Sequence, residues 1–437
     1  MSEQQGLLAG FAKIDVTPDY PVGLRGYSDD ETRIHEMVVD RVYATCIALT
    51  DGEETILLYT LDNCACEQPT AELIRKAVTP VTGIPGEKIF CSATHTHSAP
   101  SIGGYNGKRY KGDLVLACVQ AAREALADRA PAKVFAGKRE IEGMNFVRHY
   151  VTKNGSIAGT AFGSFKNNPA VEHAVEPDKQ LLLIKFQREG LHKSILMVNW
   201  QGHPDCSAEI GKLNIAASYP GPLRDALAAY TGDLVAYFTG ADGNTGIHSA
   251  IKEKNHDLNW REYGVKMAQL AYEVYKNLQE VEGTGISTCR RVVEVQTDHG
   301  KDHMLEQALE VIKVWKTVGM PEGAALAASY GMSSVYQANA IRNKYNMDKT
   351  RELEINAFRV GGIGFTGGSY EMFSEAGLAI REGSPYEYTF LLTGNFSYIP
   401  SERAYDYQCY EAVTGYYARG TGEYLAEQYV EMLHKIK

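Results

Sequence analysis

The 437-residue chain has no apolar run approaching the length of a bilayer-spanning helix, and no run of lysines or arginines offsets its formal charge of −10. The first absence removes helical membrane proteins. The second argues against nucleic acid or an anionic membrane as the main partner, so no nucleic-acid role and no stable membrane association are expected. Small neutral or cationic ligands stay open, and the sequence sets no oligomeric state. The opening MSEQQGLLAGFAKIDVTP lacks the basic start and apolar centre of a secretion signal, which gives the expectation of a cytoplasmic protein. The eight cysteines are scattered, most of them inside apolar patterns such as YATCIAL and LVLACVQAA, and read as buried free thiols. Cys64 and Cys66 form a single CxC, a weak metal signal. No internal repeat, low-complexity tract or linker divides the sequence. Although its length permits two or three domains, residues 1–437 read as one compact unit.

What is present is an alternation of elements. RVYATCIALT and TILLYTLD have the β-branched and apolar character of strands. TAELIRKAV and DLVLACVQAAREALAD have helical spacing, the second with Leu114, Cys118, Ala121 and Ala122 on one face. KQLLLIKFQ and KSILMVNWQ, split by the turn-like REGLH, predict adjacent strands. PGPLRDALAAY starts a helix with proline in its first turn. LVAYFTGADGNTG runs from a strand into a glycine-rich loop, and WREYGVKMAQLAYEVYKNLQEV is a long amphipathic helix. Residues 303–345 predict two helical segments separated at Pro321 and Glu322. INAFRVGGIGFTGG and YTFLLTGNF read as strands, followed by a tyrosine-rich loop and a last helix, TGEYLAEQYVEML. The predicted class is mixed α/β, with mixed sheets flanked by helices.

Three of these strands lead into side chains able to hold a metal. SATHTHSAP places His95 and His97 one residue apart after the short run GEKIF. In an extended segment such a pair projects from one face. VNWQGHPD puts His203 after ILMVNW, and GIGFTGGSYE puts Glu371 after an apolar, glycine-rich strand. Zinc accepts imidazole and carboxylate, and a catalytic zinc site keeps one position for water. Asp62, ending TILLYTLD, either orients a ligand imidazole through its second nitrogen or caps the strand.

These blocks resemble the neutral/alkaline ceramidases. GFAKIDVTP is similar to that family's early D-[IV]-T-P segment, and SATHTHSAP to its SATHTHSGP signature. GMNFVRHY, VEPDKQLLLIKF and VNWQGHP resemble later blocks. SYIPSERAYDYQCYE resembles a closing block in which two tyrosines, here Tyr398 and Tyr410, stand twelve apart. The resemblance implies zinc held by His95, His203, Glu371 and Tyr398, with His97, Arg148 and Tyr410 around a reacting carbonyl. It implies a zinc-dependent amidohydrolase acting through activated water.

The departures shape the expectation as much as the matches. The family's loop serine falls, on aligning Asn244, at Asp242 in GADGNTG. A covalent serine mechanism is therefore not expected there, and Asp242 becomes a candidate base, a substrate contact or a turn former. Ser218 in ASYPG stands where the family tends to carry an acid. The chain is expected to lack the C-terminal β-sandwich and the leader of secreted members. The expected substrate is a soluble small-molecule amide, with an ester or lactam next. A non-catalytic metal-binding relative and a sugar- or polyol-binding protein are the alternatives.

Overall fold

The computed structural model describes residues 6–27, 30–159, 165, 168–394 and 397–437. Its larger sheet contains β1 (Leu8–Asp15), β2 (Tyr43–Thr50), β3 (Thr55–Leu61), β4 (Ile89–Ala93), β5 (Ala130–Glu140), β6 (Gln180–Arg188), β7 (Ile195–Trp200) and β8 (Leu234–Thr239). They run in the order β8-β7-β6-β5-β1-β2-β3-β4, and residues Gln279–Glu280 add to β5. A smaller sheet follows the order β9 (Ile286–Gln296), β10 (Thr350–Val360), β11 (Ile363–Gly368), β12 (Tyr388–Thr393). The longer helices are α1 (Gln68–Thr82), α2 (Gly107–Ala127), α3 (Pro220–Thr231), α4 (Trp260–Tyr275), α5 (Leu305–Thr317), α6 (Met320–Ser329), α7 (Val335–Tyr345), α8 (Ser374–Gly383) and α9 (Thr421–Lys435).

The two sheets pack face to face. The two-residue period of each strand explains why both faces are apolar: in β2, Ala44, Cys46 and Ala48 face one way and Ile47 and Leu49 the other, all buried. Between the sheets, Phe358 stacks on Phe90 at 4.3 Å and on Phe365 at 4.5 Å. On the outside of the large sheet, α1 and α2 cover the half around β1 to β4, while α3 and α4 cover the half around β6 to β8. Helices α8 and α9 cover the small sheet. The result is helix, sheet, sheet, helix, as the alternation predicts. Among the described residues no helix is long and apolar enough to cross a membrane.

One stretch differs from its sequence reading. Residues 303–345 form three helices, not two, packed on a core of their own. Pro321 does not separate them; it lies in the first turn of α6, where a missing N–H costs nothing. The breaks fall at Gly319 and Gly331, both at positive φ.

The parallel pairs decide where the site lies. β3 with β4, β7 with β8, and β11 with β12 are parallel, the other neighbours antiparallel. Each parallel pair ends in two loops at the same edge, and threonines tie those ends together. Thr60 Oγ1 donates to the Tyr237 carbonyl at 2.7 Å, Thr239 Oγ1 to that of Thr94 at 2.9 Å, and Thr393 Oγ1 to that of Thr239 at 3.2 Å. Six loops from three strand pairs therefore open on one place, as ligand sites of α/β proteins do.

Truncating the intersheet aromatic stack tests the sandwich. Phe358→Ala is expected to lose about 3–5 kcal/mol of unfolding free energy by denaturant titration, whereas truncating Leu191, fully exposed, leaves the midpoint unmoved.

Candidate metal centre

The histidine pair meets by a route other than strand alternation. β4 stops at Ala93, and His95 takes a left-handed backbone with φ 64°. Thr96 turns inward between the two histidines, its Oγ1 donating to the Ala216 carbonyl at 2.8 Å and lying 2.9 Å from Ser218 Oγ. His95 and His97 thus project to the same side of a turn. Gly26 presses against His97 so closely that a Cβ there would lie 2.7 Å from the histidine's own.

His203, from the loop after β7, completes a triangle. The three Nε2 atoms stand 3.1 Å (His95–His203), 3.2 Å (His95–His97) and 3.2 Å (His97–His203) apart. His95 Nδ1 lies 2.6 Å from the Cys64 carbonyl and His203 Nδ1 3.2 Å from that of Asp242. A carbonyl only accepts, so each Nδ1 carries the proton and each Nε2 presents a lone pair. Burial, then the neighbouring imidazole, pushes both groups well below the ordinary histidine range, so they are neutral at pH 7. Two facing lone pairs repel unless a cation lies between them. Glu371 brings a carboxylate oxygen beside them: its buried Oε2 has no hydrogen-bond donor and lies 3.6 Å from His95 Nε2. Burial, then Asp242, raises the Glu371 carboxyl well above its usual range. Tyr398 stands opposite Glu371 in a two-residue parallel pair. Ligands about 2.0–2.1 Å from a tetrahedral zinc stand roughly 3.3 Å apart, so this donor set fits such an ion.

Around this group sits a second, fully paired network. Arg148 Nε donates to Glu411 Oε1 at 2.7 Å, and its Nη2 reaches the Gly243 carbonyl at 2.8 Å and the Tyr398 hydroxyl at 3.4 Å. His149 Nε2 meets the other oxygen of Glu411 at 2.9 Å, and Tyr407 OH lies 3.1 Å from His149 Nδ1. Burial alone would raise Glu411; Arg148 and His149 outweigh it and hold the carboxyl far below the usual range. Tyr410 lines the same cleft, its ring 6.0 Å from that of Tyr398.

Three side chains here escaped the sequence reading. Glu411 and His149 each adjoin a residue singled out, Tyr410 and Arg148, and nothing local marks them. Asp205, two residues after His203, lies 3.6 Å from His97 Nδ1 and accepts from Tyr27 OH at 2.9 Å. Conversely, Asp62 orients no imidazole. It accepts two hydrogen bonds from Arg224, at 2.8 and 2.7 Å, and one from the Tyr43 amide. Asp242 is wholly buried beside His203, its Oδ2 3.5 Å from Nδ1 and both carboxyl oxygens without a hydrogen-bond partner among the described residues. Burial pushes its carboxyl up to about 8. Of the CxC pair, the Cys64 sulfur lies 3.9 Å from His95 Nδ1, while Cys66 is buried in the core beneath.

Two substitutions probe this architecture. Gly243 lets its loop lie on the Glu371 segment, for a Cβ would meet the Glu371 carbonyl oxygen at 2.9 Å. Gly243→Ala is expected to weaken metal retention about 10–100-fold, read by chelator competition. Glu411→Gln leaves Arg148 buried without its partner and is expected to cost about 3–5 kcal/mol near pH 7. Because the folded carboxyl lies below its ordinary value of 4.5, this stabilisation is complete above that pH and fades as pH falls beneath it. Denaturation curves of the two proteins should therefore converge in acid.

No protein-family model matches the sequence, and no curated protein matches it. Solved structures do match. The neutral ceramidase from Pseudomonas aeruginosa superposes with a TM-score of 0.74 at 17% identity, over 99% of this chain and 74% of that one. A ceramidase complexed with C2 gives 0.73 at 16%, over 98% and 75%. The chain has the fold of the neutral ceramidases.

Proposed function

We propose that this chain is a zinc-dependent hydrolase that cleaves a C–N amide bond of a small-molecule substrate. The observation that carries the reading is the pair of facing lone pairs on His95 and His203, 3.1 Å apart, beside the unpaired Glu371 Oε2. The likeness of fold to proteins named ceramidase supports an amidase-type reaction over other metal chemistry.

His95, His203 and Glu371 would hold the ion, with the Tyr398 phenol as fourth ligand. Zinc, when bound, polarises an acyl carbonyl and lowers the pKa of water toward neutrality. The chain's own groups do the rest. The Tyr410 hydroxyl is a donor at the cleft wall for charge developing on the acyl oxygen, and Arg148, fixed by Glu411 and Gly243, stands behind it against the Tyr398 hydroxyl. His97 differs from its neighbours because its Nδ1 has no carbonyl anchor and faces Asp205 instead. That leaves its imidazole to carry a proton. Water supplies the oxygen that bonds to the acyl carbon as the C–N bond breaks, and a proton passes to the departing nitrogen, giving a carboxylate and an amine. The main-chain carbonyl of Asp242 holds the His203 imidazole in place, and its carboxyl, not among the cleft-lining groups, is not assigned the role of base.

Metal analysis and kinetics on single variants test this directly. Wild type is expected to bind about one zinc per chain. His95→Ala and His203→Ala should lose both ion and turnover, and His97→Ala should keep the ion but lose turnover by about 10²–10⁴-fold. Zinc uptake without turnover on an amide, ester and lactam panel would favour a non-catalytic metal-binding protein. Failure to take up any divalent ion would end the proposal.

A further inference from the structure

The cleft above the three histidines encloses about 390 Å³. At roughly 30 Å³ per water molecule this is the room of about a dozen waters, enough for a monosaccharide-sized ligand. Its walls are polar. Tyr27, Tyr398, Tyr410 and Tyr416 line it together with Arg25 and Asp30, and among the described lining residues the one aliphatic side chain is Ala65. A hydrocarbon chain binds by leaving water for apolar surface, and among the described lining residues that surface is confined to Ala65, Cys64 and the tyrosine rings. Tyrosines suit another class: the ring covers C–H groups while the hydroxyl bonds to polar ones.

The charged pair at the wall narrows the class. Arg25 Nη2 donates to Glu67 Oε1 at 2.9 Å, and its Nη1 lies 3.7 Å from Asp30 Oδ2, which accepts from Ser101 Oγ at 2.7 Å. The guanidinium is thus already balanced by carboxylates, so an acidic substrate meets no uncompensated cation there. A hydroxyl both donates and accepts, and so bonds to either member of such a pair, whereas a carboxylate bonds only to the donor. Resting on the hydrolase reading above, we infer that the substrate is a short-acyl amide of an uncharged, polyhydroxylated amine of the amino-sugar or amino-polyol class.

The test uses the zinc-loaded full chain and four probes: N-acetylglucosamine, N-octanoylglucosamine, N-acetylalanine and N-octanoylsphingosine, with amine release as readout. The expected ranking places N-acetylglucosamine first in kcat/KM, by about tenfold or more over each of the others. An equal or inverted ranking, above all a preference for N-octanoylsphingosine, overturns the inference while leaving the hydrolase reading intact. If no probe is cleaved, that reading fails instead, and calorimetric binding of the same four compounds decides the inference. Tightest binding of N-acetylglucosamine upholds it; equal or weaker binding overturns it.

Discussion

Three threonine hydroxyls do more for the site than any residue in it. A backbone carbonyl at the end of a parallel pair has lost its ladder partner and must find a donor or water. Here Thr60, Thr239 and Thr393 donate to such carbonyls across strand pairs, and two of these bonds share one strand end: Thr239 gives its hydroxyl to Thr94 and its carbonyl to Thr393. All three bonds are buried, at 2.7, 2.9 and 3.2 Å. They fix the roots of the loops carrying His95, Asp242 and the Glu371–Tyr398 pair, which lie far apart in sequence. His95, which enters two of the three Nε2 distances, follows directly on one of those roots at Thr94.

The electrostatic arrangement follows from the same burial. Two carboxylates, Glu371 and Asp242, are held near neutral imidazoles, and each is pushed upward because nothing positive pairs with it directly. Arg148 is close enough to both to lower them, yet its own bond goes to Glu411. The fold therefore separates a satisfied ion network, Arg148 with Glu411 and His149, from an unsatisfied cluster a few ångströms away. Burying charge without a partner is costly. The first network is paired through Arg148, Glu411 and His149, while Glu371 Oε2 and both Asp242 carboxyl oxygens have no hydrogen-bond partner among the described residues.

Much of this was legible in the sequence, unevenly. Strands with two buried faces announce themselves as continuous apolar runs, and the amphipathic helices by their spacing, so the layers could be read. The side chains at strand ends could be picked out because a histidine or glutamate after an apolar run stands out against its surroundings. Their meeting could not, since convergence is set by sheet order, and the left-handed turn at His95 has no local signal. Asp62, read as an imidazole partner or a strand cap, accepts the Tyr43 amide at the head of β2 as a cap does, and what left that choice open also hid Asp205. An acid at a strand end looks alike whether it faces Arg224 in the interior or His97 at the cleft, and only the pairing of distant strands decides which. The helices of 303–345 were miscounted because proline in a first turn and proline between helices read identically.

The helical insertion between β9 and β10 finally bears on the site at Tyr410. It packs on its own core, so it could have stood apart, yet Tyr336 on α7 sets its ring edge-on to Tyr410 at 6.2 Å. On the other side Tyr410 meets Tyr398, whose partner across the short parallel pair is Glu371. A phenol held between two rings has little freedom to turn, and edge-to-face contacts hold orientation as well as area. The insertion thus braces the cleft wall from outside, and the Glu371–Tyr398 pair is braced in turn. Tyr410 begins its own short helix and is followed at once by Glu411, the anchor of Arg148. One turn of chain therefore couples the aromatic wall to the buried cation.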